Sequence, residues 1–364
     1  MSLSKEETDI LNNMVIKRDM EEILQADYEW ESFSKKTVLV TGAYGMLASY
    51  IVFFLIYLRE KKGIEVSIIA QGRDEQKARE RFGLYFEKPY FFFTNEDICS
   101  EETKIARDVD YIVHAAGIAN PRFYGTNPVE VIEPNVIGTD LLLKNCNPDR
   151  LKGFLFFGTC DVYGRVDNSQ YITEETAGAV DPLDPHSCYS ESKRMAETLL
   201  AAYQREYGLR TIIARIGHTY GPTMDVENDP RVFSSFIRNA LNREDIVLHS
   251  DGLARRPFCY LSDAAAGYFL LLLKGKAGEA YNVTNTDQFL SIREIAGIVA
   301  GLPPRSLKVV MKERRKEDTY QQDTVNMGNR PVEDKLKRLG WKHSVSAEEG
   351  FRRVYQFFME QEGG

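Results

Sequence analysis

Thr41-Gly42-Ala43-Tyr44-Gly45-Met46-Leu47-Ala48 follows a short β-branched run, Thr37–Val40, and leads into a long apolar one, Leu47–Lys62. The natural reading is a strand, a tight turn and a helix. Gly42 takes the turn without a Cβ clash. Gly45 lets the backbone approach a pyrophosphate, and the helix N-terminus offers free N–H groups and a positive dipole to it. Ala48 stands where a third glycine would serve close helix–strand packing, a small change. A glycine pattern alone is weak, but the strand–turn–helix setting predicts a dinucleotide-binding loop. Gly42, Tyr44, Gly45, Met46 and Leu47 are its expected cofactor contacts.

Outward from this loop, strand-like runs come at Val66–Ala70, Tyr111–His114, Gly153–Phe157 and Thr211–Ile216. Helical patterns at Asp74–Phe82, Pro128–Asn145 and Tyr189–Tyr207 separate them. Alternating strands and helices predict an α/β fold: a Rossmann-type, doubly wound parallel sheet. After Gly221 the turns grow richer in glycine and proline. Helical stretches at Val232–Asn242, Asp263–Leu273 and Ile292–Ala300, with a short strand at Ile246–Leu248, predict a smaller C-terminal α/β lobe. The expected division is a helical extension over 1–34, a dinucleotide-binding domain over 35–220 and a substrate lobe over 221–364, interleaved with the first. The extension carries apolar residues at amphipathic spacing from Ile10 to Leu24, so it is expected to pack against something.

Composition narrows the function classes. The chain has 364 residues, 43% apolar and 27% charged, which is enough apolar content for a folded core. A net charge of -8 argues against a nucleic-acid partner. The longest apolar run, Tyr50–Leu58, falls short of the ~20 residues a membrane span needs and reads as a buried helix. The charged N-terminus lacks the apolar stretch of a secretory leader. Five scattered cysteines without a CxxC pair suggest no metal site and no disulfide framework. Reduced thiols and a cytoplasmic protein are the corresponding expectation.

The cofactor's ribose is the next test. An acidic residue ~20 positions beyond the loop would accept bonds from a 2′-hydroxyl. Here the second strand ends Gln71-Gly72-Arg73-Asp74. Arg73 favours a 2′-phosphate and Asp74 a 2′-hydroxyl, so both NADP and NAD stay open.

Tyr189 and Lys193 lie four apart, on one face of a helix. An ammonium beside a tyrosine favours the phenolate, which can take a proton from a sugar hydroxyl while hydride leaves the same carbon. Gly158-Thr159-Cys160-Asp161-Val162-Tyr163-Gly164 follows a strand, at the edge where open α/β sheets bind ligands. Thr159 would offer its hydroxyl to the same substrate oxygen.

These pieces, with HAAG at 114–117, NPVEVIEPNVIGT at 127–139, YSESK at 189–193, RIGHTYGP at 215–222, RRPFCYLSD at 255–263 and LGW at 339–341, resemble the extended short-chain dehydrogenase/reductase family of nucleotide-sugar enzymes. The likeness runs from Lys35 to about Trp341. It implies that Thr159, Tyr189 and Lys193 form the catalytic set and that Asp97, Ile98, Ala115 and Ala116 line the cofactor. Asn135 would lie behind the site, Arg256 would bind the substrate diphosphate, and the enzyme would be a homodimer on a nucleotide-diphosphate sugar.

The family shares oxidation of the sugar at C4 and diverges afterwards. The resemblance implies Asp-Glu after the threonine in 4,6-dehydratases, Ser-Glu in UDP-glucuronate decarboxylases and small neutral residues in 4-epimerases. Cys160-Asp161 sits nearest the decarboxylases, and an ordinary thiol is a poor acid for a sugar hydroxyl. The segments Asn120–Tyr124, His186–Thr198 and Pro230–Phe236 resemble the same enzymes. A C4 ketone lies β to the C6 carboxylate, so loss of CO2 is chemically coherent, with Asp161 keeping a carboxylate in place. Arg122, Arg231 and Arg330 are candidate cations for the substrate carboxylate. His186 and His218 depart from the arginine and asparagine the resemblance implies. Epimerisation and dehydration remain alternative readings, and a non-catalytic nucleotide-sugar or dinucleotide sensor is the reading from another class.

Overall fold

The computed structural model describes residues 9–166, 171–312 and 330–362. Residues 1–8 of the expected N-terminal extension lie outside it.

In chain order, helix α1 (Met14–Leu24) precedes strand β1 (Lys36–Thr41), α2 (Met46–Lys62), β2 (Val66–Gln71), α3 (Glu75–Phe82), β3 (Phe91–Thr94) and β4 (Tyr111–His114). Then come α4 (Pro128–Glu133), α5 (Thr139–Asn145), β5 (Gly153–Thr159), β6 (Tyr171–Ile172), α6 (Ser187–Tyr207), β7 (Thr211–Ile216) and β8 (His218–Tyr220). The remainder is α7 (Val232–Asn242), β9 (Ile246–Leu248), β10 (Arg255–Tyr260), α8 (Leu261–Lys274), β11 (Glu279–Val283), β12 (Phe289–Ser291), α9 (Ile292–Ala300), β13 (Val309–Met311), β14 (Arg330–Pro331), α10 (Asp334–Arg338) and α11 (Ala347–Glu362).

Seven parallel strands form the central sheet in the order β11-β7-β5-β4-β1-β2-β3. The winding reverses between β1 and β4, and the loops after these strands open the crevice where such folds bind ligands. Strand β11, late in sequence, closes one edge of this sheet beside β7. A second apolar cluster gathers α7, α9, β8, β10 and α11. Strands β8 and β10 run parallel and bring this lobe to the end of the central sheet.

Helix α2 is buried continuously from Ala48 to Leu58, as the long apolar run requires. One side covers the sheet and the other meets Trp30 and α8. Phe54 lies 4.8 Å from Trp30 and 4.9 Å from Phe269, ring centre to ring centre. Among the described residues, no helix is long and apolar enough to cross a membrane.

The expected single helix over Pro128–Asn145 is instead two helices joined by a wide π turn at Pro134–Gly138. Pro134 has no N–H to give and its ring crowds the preceding turn, so regular winding fails there. Thr139 Oγ1 donates to Asn135 O at 2.5 Å, which satisfies a carbonyl in this turn.

Truncating Phe54 to alanine should cost about 3–5 kcal/mol, the range for a fully buried aromatic. Phe92→Ala, on a half-exposed side chain, should stay within about 0.5 kcal/mol. Urea denaturation of both variants checks the contrast.

Candidate active site

Gly42 sits at φ +62°, and a Cβ there would fall 2.8 Å from Ala116 Cα. The loops after β1 and β4 therefore touch backbone to backbone. Gly45 caps α2 without any side-chain partner, so the first helical N–H groups face outward for an anion. Tyr44 lies against Gly72, where a Cβ would fall 2.3 Å from its ring. These features fit a dinucleotide pyrophosphate. Bonds from Ala115 N and Ala116 N to Thr41 Oγ1, at 3.2 and 3.1 Å, hold the two loops in register.

Beneath them lies His114, fully buried. Its Nε2 is 3.2 Å from Pro134 O, which can only accept, so this nitrogen carries the proton. Its Nδ1 then accepts from Thr41 Oγ1 at 2.7 Å. The ring thus links the phosphate loop to the π turn. One residue on, Asn135 Nδ2 donates to Val131 O and Ser192 Oγ, both at 2.9 Å. Its Oδ1 is buried without a partner. Built on Gly117, a Cβ would meet Asn135 Oδ1 at 3.0 Å and Lys193 Nζ at 3.5 Å. An orphaned acceptor and a lysine thus converge on a glycine edge, as a cradle for a polar ligand would.

Arg73 is exposed, and Asp74 caps α3 through Lys77 N at 3.1 Å. The strand-end place is filled by Gln71, which accepts from Gly42 N and donates to Glu96 O. Asp97 is exposed, and Ile98 packs against Gly138 of the π turn.

Thr159 ends β5, and its hydroxyl bonds both Asp161 N, at 3.1 Å, and Tyr189. Burial pushes the Tyr189 phenol up, and the Asp161 charge adds to that. The Thr159 bond and the Arg231 charge oppose it. Lys193 is itself pushed down to about 7 by burial. Its Nζ donates to Phe157 O at 2.7 Å and lies 5.9 Å from the Tyr189 ring centre. The expectation that the lysine holds the phenol down therefore needs correction, because burial dominates both groups.

Asp161 faces solvent, yet the surrounding protein raises its carboxyl above the ordinary value, with the Arg256 charge opposing. Cys160 turns the other way. Its thiol donates to Arg215 O at 3.5 Å, and burial pushes its pKa up, so it is no acid for a substrate. Arg215 is in turn clamped by Glu197 at 2.7 Å.

His218 shares this neighbourhood. Burial and the charges of Arg256 and Arg231 hold it down at about 3. Arg231 is already answered by Asp229, with bonds of 2.8 and 2.5 Å, and lies 4.9 Å from the Phe233 ring centre. Its charge reaches Tyr189, but its donors are largely committed. Arg330 lies 4.0 Å from the Phe289 ring centre, and Phe289 pairs with Pro257 of β10. Arg122 is exposed on the turn Pro121–Phe123. Sequence reading gave Tyr124 no role beyond closing the Asn120–Tyr124 segment, yet its ring stacks on Tyr189 at 5.2 Å and 12°. The resemblance of that segment was the signal that could have pointed to it.

The sequence profile of the NAD dependent epimerase/dehydratase family matches residues 38–284. UDP-glucuronic acid decarboxylase 6 of Arabidopsis thaliana is 33% identical over 327 residues, covering 89% of each chain. The dTDP-glucose 4,6-dehydratase DesIV of Streptomyces venezuelae, solved with NAD and TYD bound, superposes at a TM-score of 0.73 with 26% identity, over 90% of this chain and 98% of that one. The UDP-glucose 4-epimerase of Thermotoga maritima, solved with UDP-glucose, gives a TM-score of 0.75 at 24% identity, over 90% and 99%.

His114 and His218 are both held at about 3, below the ordinary histidine value, so both stay neutral from pH 5 to 8. Their C2-proton NMR resonances should not move across that range; movement of either would show a charged ring.

Proposed function

The chain belongs to the NAD dependent epimerase/dehydratase family, a family of NAD-dependent enzymes, and from that premise we propose that it is a UDP-glucuronate decarboxylase that forms a UDP-pentose. The observation that carries this reading is the pairing of Thr159 and Asp161 around Tyr189, with Arg256 as the charge facing Asp161. The decarboxylase relative supports it, as does a Cys160 thiol turned away from the site.

Gly42, Gly45 and the first turn of α2 would hold the cofactor's pyrophosphate, and Asn135 and Lys193 its nicotinamide end. Bound there, NAD supplies a place for the C4 hydride to go and to return from. Tyr189 takes the O4 proton as the C4 ketone forms, steadied by Thr159. Protein burial raises the phenol, so cofactor charge and substrate bonds must lower it when the site fills. The C5–C6 bond of the β-keto acid then breaks. CO2 leaves, and the electron pair moves into the C4 ketone as an enolate. Asp161, whose raised carboxyl holds a proton more readily than usual, would protonate C5 and regain its proton from solvent. Tyr189 returns its proton to O4 as the alcohol re-forms. Arg256 would meet the diphosphate, with His218 offering one neutral hydrogen bond beside it. Arg231, whose charge reaches Tyr189 and His218, or Arg330, whose donors are not tied to Asp229, would meet the sugar carboxylate.

Epimerisation is the second reading. A neutral Tyr124–Tyr189 stack lines the site without requiring a carboxylate on the sugar.

The same proposal includes a homodimer. Helices α4 and α6 pack side by side and leave Val129, Ile132, Ile137 and Met195 exposed on α4, the π turn and α6. Exposed apolar residues gathered on adjacent elements mark an interface. None of the five cysteines is in a disulfide, which supports a cytoplasmic setting. We also read 221–364 as mainly substrate-binding and 35–220 as mainly cofactor-binding.

Incubation with UDP-glucuronate and NAD should yield a product lighter by CO2 with no net cofactor reduction. An unchanged mass with a new isomer in NMR would favour epimerisation. Tyr189→Phe should lower kcat by about 10²–10⁴-fold, the usual worth of a positioned acid–base group. Sedimentation should give about twice the 41.6 kDa chain mass, and Ile137→Glu should halve it.

A further inference from the structure

Helix α1 lies outside the stretch matched by the family profile, yet it carries a charge that reaches both halves of the site. Asp19 is fully buried. Its Oδ2 accepts from Tyr50 of α2 at 2.5 Å and from Tyr260 of β10 at 2.8 Å. Its Oδ1 accepts from Arg353 of α11 at 2.7 Å. Arg353 is also buried, and it is shared with Glu22 at 2.6 and 2.8 Å and Glu349 at 2.9 Å. One carboxylate therefore joins four elements that are far apart in sequence.

Two of these elements carry the site. Tyr50 stands one turn beyond Met46, where α2 opens under the phosphate loop. Tyr260 stands four residues beyond Arg256 on β10, and its paired neighbour on β8 is Tyr220, two residues beyond His218. Stability alone is a weak reason to bury such a group, because ion-pair desolvation offsets most of the attraction. What the arrangement does provide is a fixed distance.

We propose that Asp19 is a positioning residue: it sets the separation between the helix that seats the cofactor phosphates and the strands that present Arg256 and His218 to the substrate diphosphate. This rests on the reading of those strands as a nucleotide-diphosphate site. The phosphate loop between β1 and α2 is held independently by the loop after β4, through Gly42 against Ala116 and Thr41 Oγ1 on the Ala115 and Ala116 amides, so loss of the Asp19 tie should shift the strands facing the second ligand and leave the first in place.

The test is Asp19→Asn in the full chain, with Arg18→Ala as control, since Arg18 is exposed and bonds only Glu22 and Glu349 among these groups. Calorimetry with NAD and with UDP reads the two halves separately. The Asn variant should keep its NAD affinity within twofold and lose five- to tenfold in UDP affinity, with KM for the nucleotide sugar rising in step and kcat nearly unchanged. Tyr260→Phe, which keeps the ring and removes one bond, should show a smaller loss of the same kind. Unchanged UDP affinity would overturn the proposal, and so would equal losses for NAD and UDP with a lower Tm, which would mark a merely structural role. Should UDP fail to bind the unaltered protein, the diphosphate reading falls. Hydrogen exchange then decides on Asp19 without any ligand. Faster exchange confined to Arg255–Tyr260 and His218–Tyr220, relative to Tyr111–His114, supports it; uniform exchange overturns it.

Discussion

Two parallel strands, β1 and β4, run hydrogen-bonded side by side and then turn apart around the space for a ligand. Everything at the site follows from how tightly that parting is held. The Gly42 backbone rests against Ala116, and Thr41 takes both amides of the opposing loop. The same hydroxyl gives its proton to His114, whose other nitrogen grips the π turn. A hydroxyl, a neutral imidazole and three backbone groups thus fix the cofactor loop and the Asn135 turn as one rigid body. A charged imidazole would break the chain, because Nδ1 could no longer accept. Burial prevents that by holding the ring neutral.

The chemistry above this base is set by unequal solvation. Tyr189 and Asp161 are both raised, and Lys193 is lowered, so all three move toward their neutral forms. Opposing charges already temper these shifts: Arg231 lowers the Tyr189 phenol and Arg256 lowers the Asp161 carboxyl.

Much of this was legible in the chain. The glycine loop in its strand–turn–helix setting marked the crevice, and Tyr111–His114, Thr211–Ile216, Val232–Asn242 and Ile292–Ala300 fall where the hydrophobic pattern puts them. Strands β3 and β10 were passed over for different reasons. Phe91–Thr94 is aromatic without alternation, and Arg255–Tyr260 begins with two arginines that a pattern reader assigns to a loop. The π turn escaped because periodicity cannot register one extra residue in a turn. The roles of Tyr124 and Asp19 were not legible for a third reason: their meaning lies in partners 65 and up to 334 positions away, Tyr189 and Arg353. The Lys193–Tyr189 spacing was read correctly as geometry and too simply as electrostatics, since spacing says nothing of desolvation.

The wide turn at Pro134–Gly138 has a bearing on how this segment can change over time. A residue added to a helix rotates everything beyond it by about 100°. Helix α4 and helix α5 are thus set at a phase that one residue more or less would destroy. With one fewer, either Asn135 swings off the Gly117 edge or Leu142 and Leu143 leave the core they now occupy. Side chains along this stretch can be exchanged singly, but its residue count is fixed from both ends. Insertions and deletions should therefore be rarer here than the run of exposed positions on α4 would suggest.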